Sequence, residues 1–315
     1  NSWQQTPAGY HIVGEGLQAR AEIVDFWAMV FNPSSVDRLL HVWIGAILAG
    51  AFLVISVHAF YLLKDRYVEL SHRALKIGLV VATLASLAQL MTGHQSADGV
   101  AENQPAKLAA FEGHFEAEAP GDLYLVGWVN KETQQVKGIK LPGGLSYLGH
   151  WDFEAPVSGL NAFPVDEQPT ALNAIFQFYH VMVAIGLLLI AITLFGTFQW
   201  WRGKIFQHRW YLWVLVGSVL LPQISNQFGW YAAEMGRQPW VVYKHLRTSE
   251  ALSEAVTSDH VIFSLIFFAL IYLLLLVLFI YLLDKKIRQG PYDVSDIDNR
   301  LKLKDIALQF DAKKS

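Results

Sequence analysis

Five apolar stretches, near 36–63, 74–93, 172–200, 210–234 and 258–284, are each long enough to cross a lipid bilayer, and they restrict this chain to a narrow set of folds. A crossing takes about 20 residues at a rise of about 1.5 Å per residue. Hydrocarbon offers the backbone no hydrogen-bond partner, so a run of that length must be helical. The expected fold class is all-α: a polytopic integral membrane helical bundle with five transmembrane helices. A content of 53% hydrophobic and only 16% charged residues fits a membrane protein better than a soluble one. Lys64, Arg66, Arg73 and Lys76 lie between the first two spans, and Arg202, Lys204 and Arg209 between the third and fourth. Lys285, Lys286 and Arg288 follow the fifth. Basic residues in short loops mark the cytoplasmic side, so the three clusters agree on one topology with residues 1–35 outside. Trp200, Trp201, Trp210 and Trp213 flank one inner loop as an aromatic belt does.

The expected organisation follows. Residues 1–35 form an outer interfacial segment, with Pro7, Gly9, Gly14 and Gly16 followed by an amphipathic stretch of Phe26, Trp27, Met29, Val30 and Phe31. Residues 36–93 hold the first two spans, 94–170 a polar outer loop, 171–285 the last three spans, and 286–315 a cytoplasmic tail. A loop as long as 94–170 is usually functional or disordered. The net charge of −3 gives no basic footprint for nucleic acid. With no cysteine there is no disulfide, thiolate metal site, iron–sulfur cluster or c-type haem attachment, which leaves His, Met and carboxylates as metal ligands. The first residues show no basic stretch followed by an apolar one, so no signal peptide is expected.

Ionisable side chains inside a span cost about 2.5–3.5 kcal/mol at mid-membrane, so each one needs a partner or a function. His41 lies about one and a half turns inside the outer end of the first span, Met182 about three turns inside the third, and Glu234 at the outer end of the fourth. A His and a Met from facing helices are an axial pair used in low-spin haem sites. The bland alternatives are common: a Met in a span is ordinary packing, and a lone His is often a hydrogen-bonded structural residue. Gln89, Gln177, Gln223, Asn226 and Gln227 are expected to bond neighbouring helices, and His58 and His260 lie near span ends. His94, His114 and His150 are expected to be exposed loop histidines, since their spacings fit no tight zinc pattern.

The most specific string is Gly229-Trp230-Tyr231-Ala232-Ala233-Glu234-Met235-Gly236-Arg237-Gln238-Pro239-Trp240. Gly236 and Pro239 alone would make it an ordinary helix stop with interfacial anchors. However, Gly-Arg-Gln-Pro-Trp after Trp and Glu resembles the signature of cytochrome bd oxidase subunit I. Collinear with it, Asn1-Ser-Trp-Gln-Gln-Thr-Pro resembles the family's outer segment before a haem-bearing helix, and Leu39-Leu40-His41-Val42 the start of that helix. Lys107-Leu-Ala-Ala-Phe-Glu112 resembles the family's quinol loop, and the matches run from residue 1 to about 284.

The resemblance implies that His41 and Met182 ligate a low-spin haem b, and that Glu234 ligates a high-spin haem b within an environment set by Arg237 and Trp230. The metal ligands would then be His41, Met182 and Glu234, and Lys107 and Glu112 would serve quinol oxidation. A third haem, d or b, would reduce dioxygen to water. Implied partners are an oxidase subunit II, membrane quinol and dioxygen, in the cytoplasmic (inner) membrane of a bacterium or archaeon. Two residues before Met182, where familiar members carry arginine, this chain has His180, so the charge balance of the low-spin haem is expected to depend on pH. The outer loop resembles the short-loop group. The family has about four further helices upstream of the position of Asn1, carrying ligands of the oxygen site, so these 315 residues alone are expected not to complete oxygen chemistry. Two rival readings are a membrane b-type cytochrome that only relays electrons and a polytopic transporter without haem. The rivals fit less well, because relay cytochromes favour bis-His pairs on shared helices and transporters favour midplane sites with internal repeats.

Overall fold

The computed structural model describes residues 1–14, 16, 19–253 and 255–291, so most of the expected tail, 292–315, lies outside the described residues. The chain divides into two units, the first running from Asn1 to Leu252. After the short helices α1 (Ser2–Gln5) and α2 (Phe26–Val30) come two long antiparallel helices, α3 (Ser35–Leu63) and α4 (Val68–Asn103). Asp65 and Tyr67 adopt positive φ in the tight link between them. The next helices are α5 (Pro105–Glu112), α6 (Gly144–His150), α7 (Leu172–Trp201), α8 (Arg209–Gly217) and α9 (Leu221–Gly236). The second unit contains α10 (Ser258–Gln289), with Asp259 in its first turn and Lys286 and Arg288 in its last, as the helix dipole favours.

Four described helices are individually long and apolar enough to cross a membrane: α3, α4, α7 and α10. The expected fourth span, 210–234, is broken into α8 and α9 by a 3-10 turn at Ser218–Leu220. Pro222 opens α9 without a backbone N–H to donate, so an unbroken α-helical ladder cannot run through this point. The all-α expectation also needs amendment, because three two-stranded antiparallel hairpins accompany the helices among the described residues. They are β1 (Tyr10–Val13) with β2 (Arg20–Ile23), β3 (Leu123–Asn130) with β4 (Gln135–Leu141), and β5 (Trp240–Val242) with β6 (Leu246–Arg247).

The bundle is a ring in which α3 packs on α4, α4 on α7, α7 on α9, and α9 back on α3, with little contact across the diagonals. One core, built from residues such as Phe52, Ile55, Leu75, Leu79, Leu189 and Leu215, fills the half of the ring away from the loop. Hydroxyl pairs join α4 to α7 there, Thr83 with Thr197 at 2.9 Å and Ser86 with Thr193 at 3.1 Å. Small residues let the helices approach closely. At Gly196 a Cβ would run into the hydroxyl of Tyr211, which donates to Ile192 O at 2.8 Å, and would stand 2.9 Å from Leu79 Cδ2.

The segment expected as a loop from 94 starts later, since α4 continues to Asn103, and it is folded. Its own core joins Ala109, Phe111, Phe115, Val129 and Leu160 to Ile175 and Phe176 of α7 and Ala232 of α9. Polar residues at the start of α7 fasten the β3–β4 hairpin: Asn173 Oδ1 accepts from Val129 N at 2.9 Å, and Gln177 Nε2 donates to Gly127 O at 2.7 Å. Gln177 therefore bonds the loop, not a neighbouring span. His114 corrects the expectation of an exposed loop histidine: it is 2% exposed, with Nε2 2.7 Å from Asp122 O and Nδ1 3.5 Å from Glu118. Burial of the surrounding apolar residues carries it inside, where Nε2 donates to Asp122 O.

The glycine packing gives a direct test. Gly196→Ala is expected to destabilise the bundle by about 1–3 kcal/mol through overpacking. Gly50→Ala, where a Cβ meets nothing within 4 Å, should be neutral or slightly stabilising through helix propensity. Thermal unfolding in detergent, followed by helical circular dichroism, separates the two.

Candidate functional site

At the loop end of the ring, α5 lies against α7 and α9. Pro105 starts α5, where its missing N–H is not needed, and Gly113 ends it in a left-handed conformation at φ 75°. The close approach depends on Gly236, where a Cβ would stand 3.0 Å from Phe111 Cε1 and 3.1 Å from Lys107 Cγ. Phe111 in turn stacks on Tyr179 of α7, with centroids 4.7 Å apart and planes 11° from parallel.

This packing buries both ionisable residues of α5, with Lys107 4% and Glu112 2% exposed. Lys107 Nζ donates to Gln5 Oε1 and to Gln104 Oε1, each at 3.1 Å, and lies 5.8 Å from the centre of the Phe111 ring. Burial and the charges of Arg38 and Arg237 pull the Lys107 ammonium down to about 7, against an opposing pull from Glu234. Glu112 faces the Tyr179 hydroxyl, its Oε2 has no hydrogen-bond partner among the described residues, and burial pushes the carboxyl up to about 7.

Glu234 and Arg237, one turn apart, form an ion pair of 2.8 Å with both side chains less than one-fifth exposed. The Asn1 amide donates to Glu234 Oε1 at 2.6 Å, so both carboxylate oxygens are engaged. Arg237 Nη1 donates to Gln4 Oε1 at 3.1 Å and to Val241 O at 3.3 Å. The first residues of the chain are thus part of the site: Asn1 and Gln4 hold the ion pair and Gln5 holds Lys107. Trp230 is not drawn in. It is 54% exposed, and its ring contact is with its neighbour Tyr231.

His41 on α3 and Met182 on α7 stand on diagonally opposite helices of the ring, and α9 touches both helices. Asn226 of α9 donates to Gly45 O, one turn beyond His41, at 3.3 Å. Gly229, one turn further along α9, seats the thioether, for a Cβ there would come within 2.5 Å of Met182 Sδ. On the α4 side, Thr92 Oγ1 is 3.2 Å from His41 Nδ1, and Gln89 Nε2 is 3.0 Å from His41 Nε2.

A b-type haem takes an imidazole and a thioether as axial donors, and these residue types on separate helices fit it. Thr92 can fix the ring through Nδ1, which leaves Nε2 as the ligating atom. A metal on Nε2 would displace only the flexible Gln89 amide, whose buried Oε1 has no partner among the described residues. Glu234 fits less freely, since a bond to iron would replace one of its two present partners. His180, between the hairpin and α7, has Nδ1 2.9 Å from Phe176 O and Nε2 2.7 Å from Tyr124 O. A neutral ring can donate only one of those bonds.

The motif search missed Gln5, Gln104, Arg38 and Tyr179. The signal for Gln5 was its place inside Asn1-Ser-Trp-Gln-Gln. Arg38 stands three residues before His41 and so shares its helix face, a spacing that sequence reasoning could have used.

Helices long and apolar enough to cross a membrane, with a histidine and a methionine among them and buried ionisable groups at one end, are what a membrane redox subunit requires. The chain belongs to the cytochrome bd terminal oxidase subunit I family, whose sequence profile matches residues 1–291. It is 35% identical over 303 residues to the putative cytochrome bd menaquinol oxidase subunit I of Bacillus subtilis (strain 168), an alignment covering 93% of this chain and 66% of that protein. To the cytochrome bd-II ubiquinol oxidase subunit 1 of Escherichia coli (strain K12) it is 30% identical over 357 residues, covering 92% and 69%. The structure of bd oxidase from Geobacillus thermodenitrificans superposes with a TM-score of 0.81 at 32% identity, covering 92% of this chain and 65% of that one. The chain therefore spans about two thirds of the length of these relatives.

The buried amide network is testable. Gln5→Leu deprives a buried ammonium of an acceptor and is expected to cost about 1–3 kcal/mol of stability. In the Lys107→Met background the same change should cost little. A double-mutant cycle of thermal unfolding measures the difference.

Proposed function

We propose that this chain is the haem-bearing part of a cytochrome bd-type quinol:oxygen oxidoreductase, working with an oxidase subunit II in a bacterial or archaeal cytoplasmic (inner) membrane. The observation that carries this reading is the gathering of Lys107, Glu234 and Arg237 at the mouth of a helix ring whose diagonal members bear His41 and Met182. In this reading the mouth faces outward, as the basic clusters at the opposite ends of the helices require. The five crossings are α3, α4, α7, the broken α8–α9 pair and α10.

His41 and Met182 would hold a low-spin haem b, and Glu234 a high-spin haem b. These groups, with a third haem of d or b type, would supply the one-electron chemistry that joins quinol to dioxygen. The chain's own residues manage protons and charge. Lys107 offers a donor to a quinol oxygen from a position fixed by Gln5 and Gln104. Glu112, with one oxygen unpartnered, accepts the hydroxyl proton. A carboxyl near pH 7 is matched to that task at neutral pH, whereas one at its ordinary value would be too weak a base. Phe111 and Tyr179 shut water away from the α5–α7 contact, and protons taken up by Glu112 leave on the outer side.

Two measurements test this in the whole oxidase. Met182→Leu conserves volume and is expected to keep the fold while abolishing the low-spin haem's bands in the reduced-minus-oxidised spectrum. Unchanged bands would remove Met182 from the ligand set. For Glu112, quinol oxidation should rise with pH through about 7 as the carboxylate forms. Glu112→Gln should lower kcat by about 100-fold or more and remove that rising limb.

A further inference from the structure

Arg38 belongs to no motif, yet it stands at the centre of the charge pattern. It lies three residues before His41, hence on the same face of α3, one turn nearer the mouth. It interacts electrostatically with Glu234 and Arg237, and with Lys107 across the same opening. Among the described residues no carboxylate bonds its guanidinium. Its sequence neighbour Asp37 turns to α4, with Oδ2 3.8 Å from where a Cβ on Gly99 would stand. Arg237 is also incompletely satisfied, its buried Nε having no partner among the described residues.

The mouth therefore collects Arg38, Lys107 and Arg237 around one carboxylate, Glu234. With Lys107 protonated, two positive charges are left uncompensated in a poorly solvated place. Such an excess is costly unless anions complete it. A haem brings two carboxylates on one edge of its ring. A haem held through His41 has Arg38 one turn toward the mouth on the same helix face.

We propose that Arg38, together with Arg237, holds the propionate carboxylates of the haem carried between His41 and Met182. This rests on the haem-binding reading above and adds to it a positioning role for Arg38. The guanidinium presents a planar fork that matches a carboxylate, and its fixed charge favours the reduced, electron-richer state of the iron.

The test is potentiometric titration of the low-spin haem in the purified complete oxidase. Arg38→Gln is expected to retain the haem bands while its midpoint potential moves to more negative values, and Arg38→Lys should restore most of the shift. Retained bands with an unmoved potential in Arg38→Gln overturn the proposal, as does an equal shift in both variants. Should Arg38→Gln fail to assemble, Arg38→Lys decides: assembly with a near-normal potential supports a need for the charge, and failure there too assigns Arg38 to packing and overturns the proposal. Absence of haem bands in the unaltered protein would instead sink the haem-binding reading itself.

Discussion

The ion pair between Glu234 and Arg237 is the point on which the loop end of this structure depends. It closes the last turn of α9, and three parts of the chain are built against it: the first residues through Asn1 and Gln4, the following strand through Val241 O, and α5 through Gly236. A buried pair is weak evidence for stability, because the loss of hydration offsets much of the attraction. It is stronger evidence for specification. Removing either partner would strand a charge among amides that are themselves held by it. A single residue without a side chain, Gly236, then decides whether α5 can lie close enough for Lys107 to join the same field.

The broken α8–α9 segment follows the same logic. An uninterrupted helix from 209 to 236 would set one face along its whole length. The 3-10 turn at Ser218–Leu220 changes the winding between α8 and α9, so that Tyr211 and Leu215 serve the core of the ring while Asn226 and Gly229 serve α3 and α7 near His41 and Met182. Asn226 donates to Gly45 O, a carbonyl already within the α3 ladder. A bond of this kind orients helices without requiring an unsatisfied backbone group in hydrocarbon.

Much of this was legible in the sequence, and the parts that were not share one cause. Length and hydropathy locate α3, α4, α7 and α10 because crossing a bilayer demands a continuous apolar run. The same criterion overlooks the break at Pro222, since hydropathy does not sense a missing N–H. It also ends α4 ten residues early, because a helix can continue into water with polar residues such as His94 and Asp98, which pair at 3.6 Å. For the site, the local string around Glu234 and Arg237 marks both residues and puts them one helical turn apart, and their pairing with each other emerges only in the structure. Gln5, Tyr179 and Arg38 meet Lys107, Glu112 and Glu234 only after the chain has folded, across separations that no local spacing encodes. The polar loop at 94–170 was misleading in another way. Its apolar residues are too scattered for periodicity, yet Phe111, Phe115, Val129 and Leu160 converge on α7 to make a core.

That core explains how α5 comes to bury two ionisable groups. Lys107 and Glu112 are five residues apart on a helix of only eight, so they point to different surroundings, one toward the charged mouth and the other toward Tyr179. Buried together they would neutralise each other as an ordinary ion pair. Apart, each is desolvated on its own, and both are driven from opposite directions to about 7. Two groups brought near neutrality at either end of one short helix are what the proposed quinol oxidation requires, since it releases protons together with electrons. The separation is set by packing, through Gly236 below Lys107 and Tyr179 beside Glu112. The acid–base character of α5 is therefore a consequence of how closely it is pressed between α7 and α9.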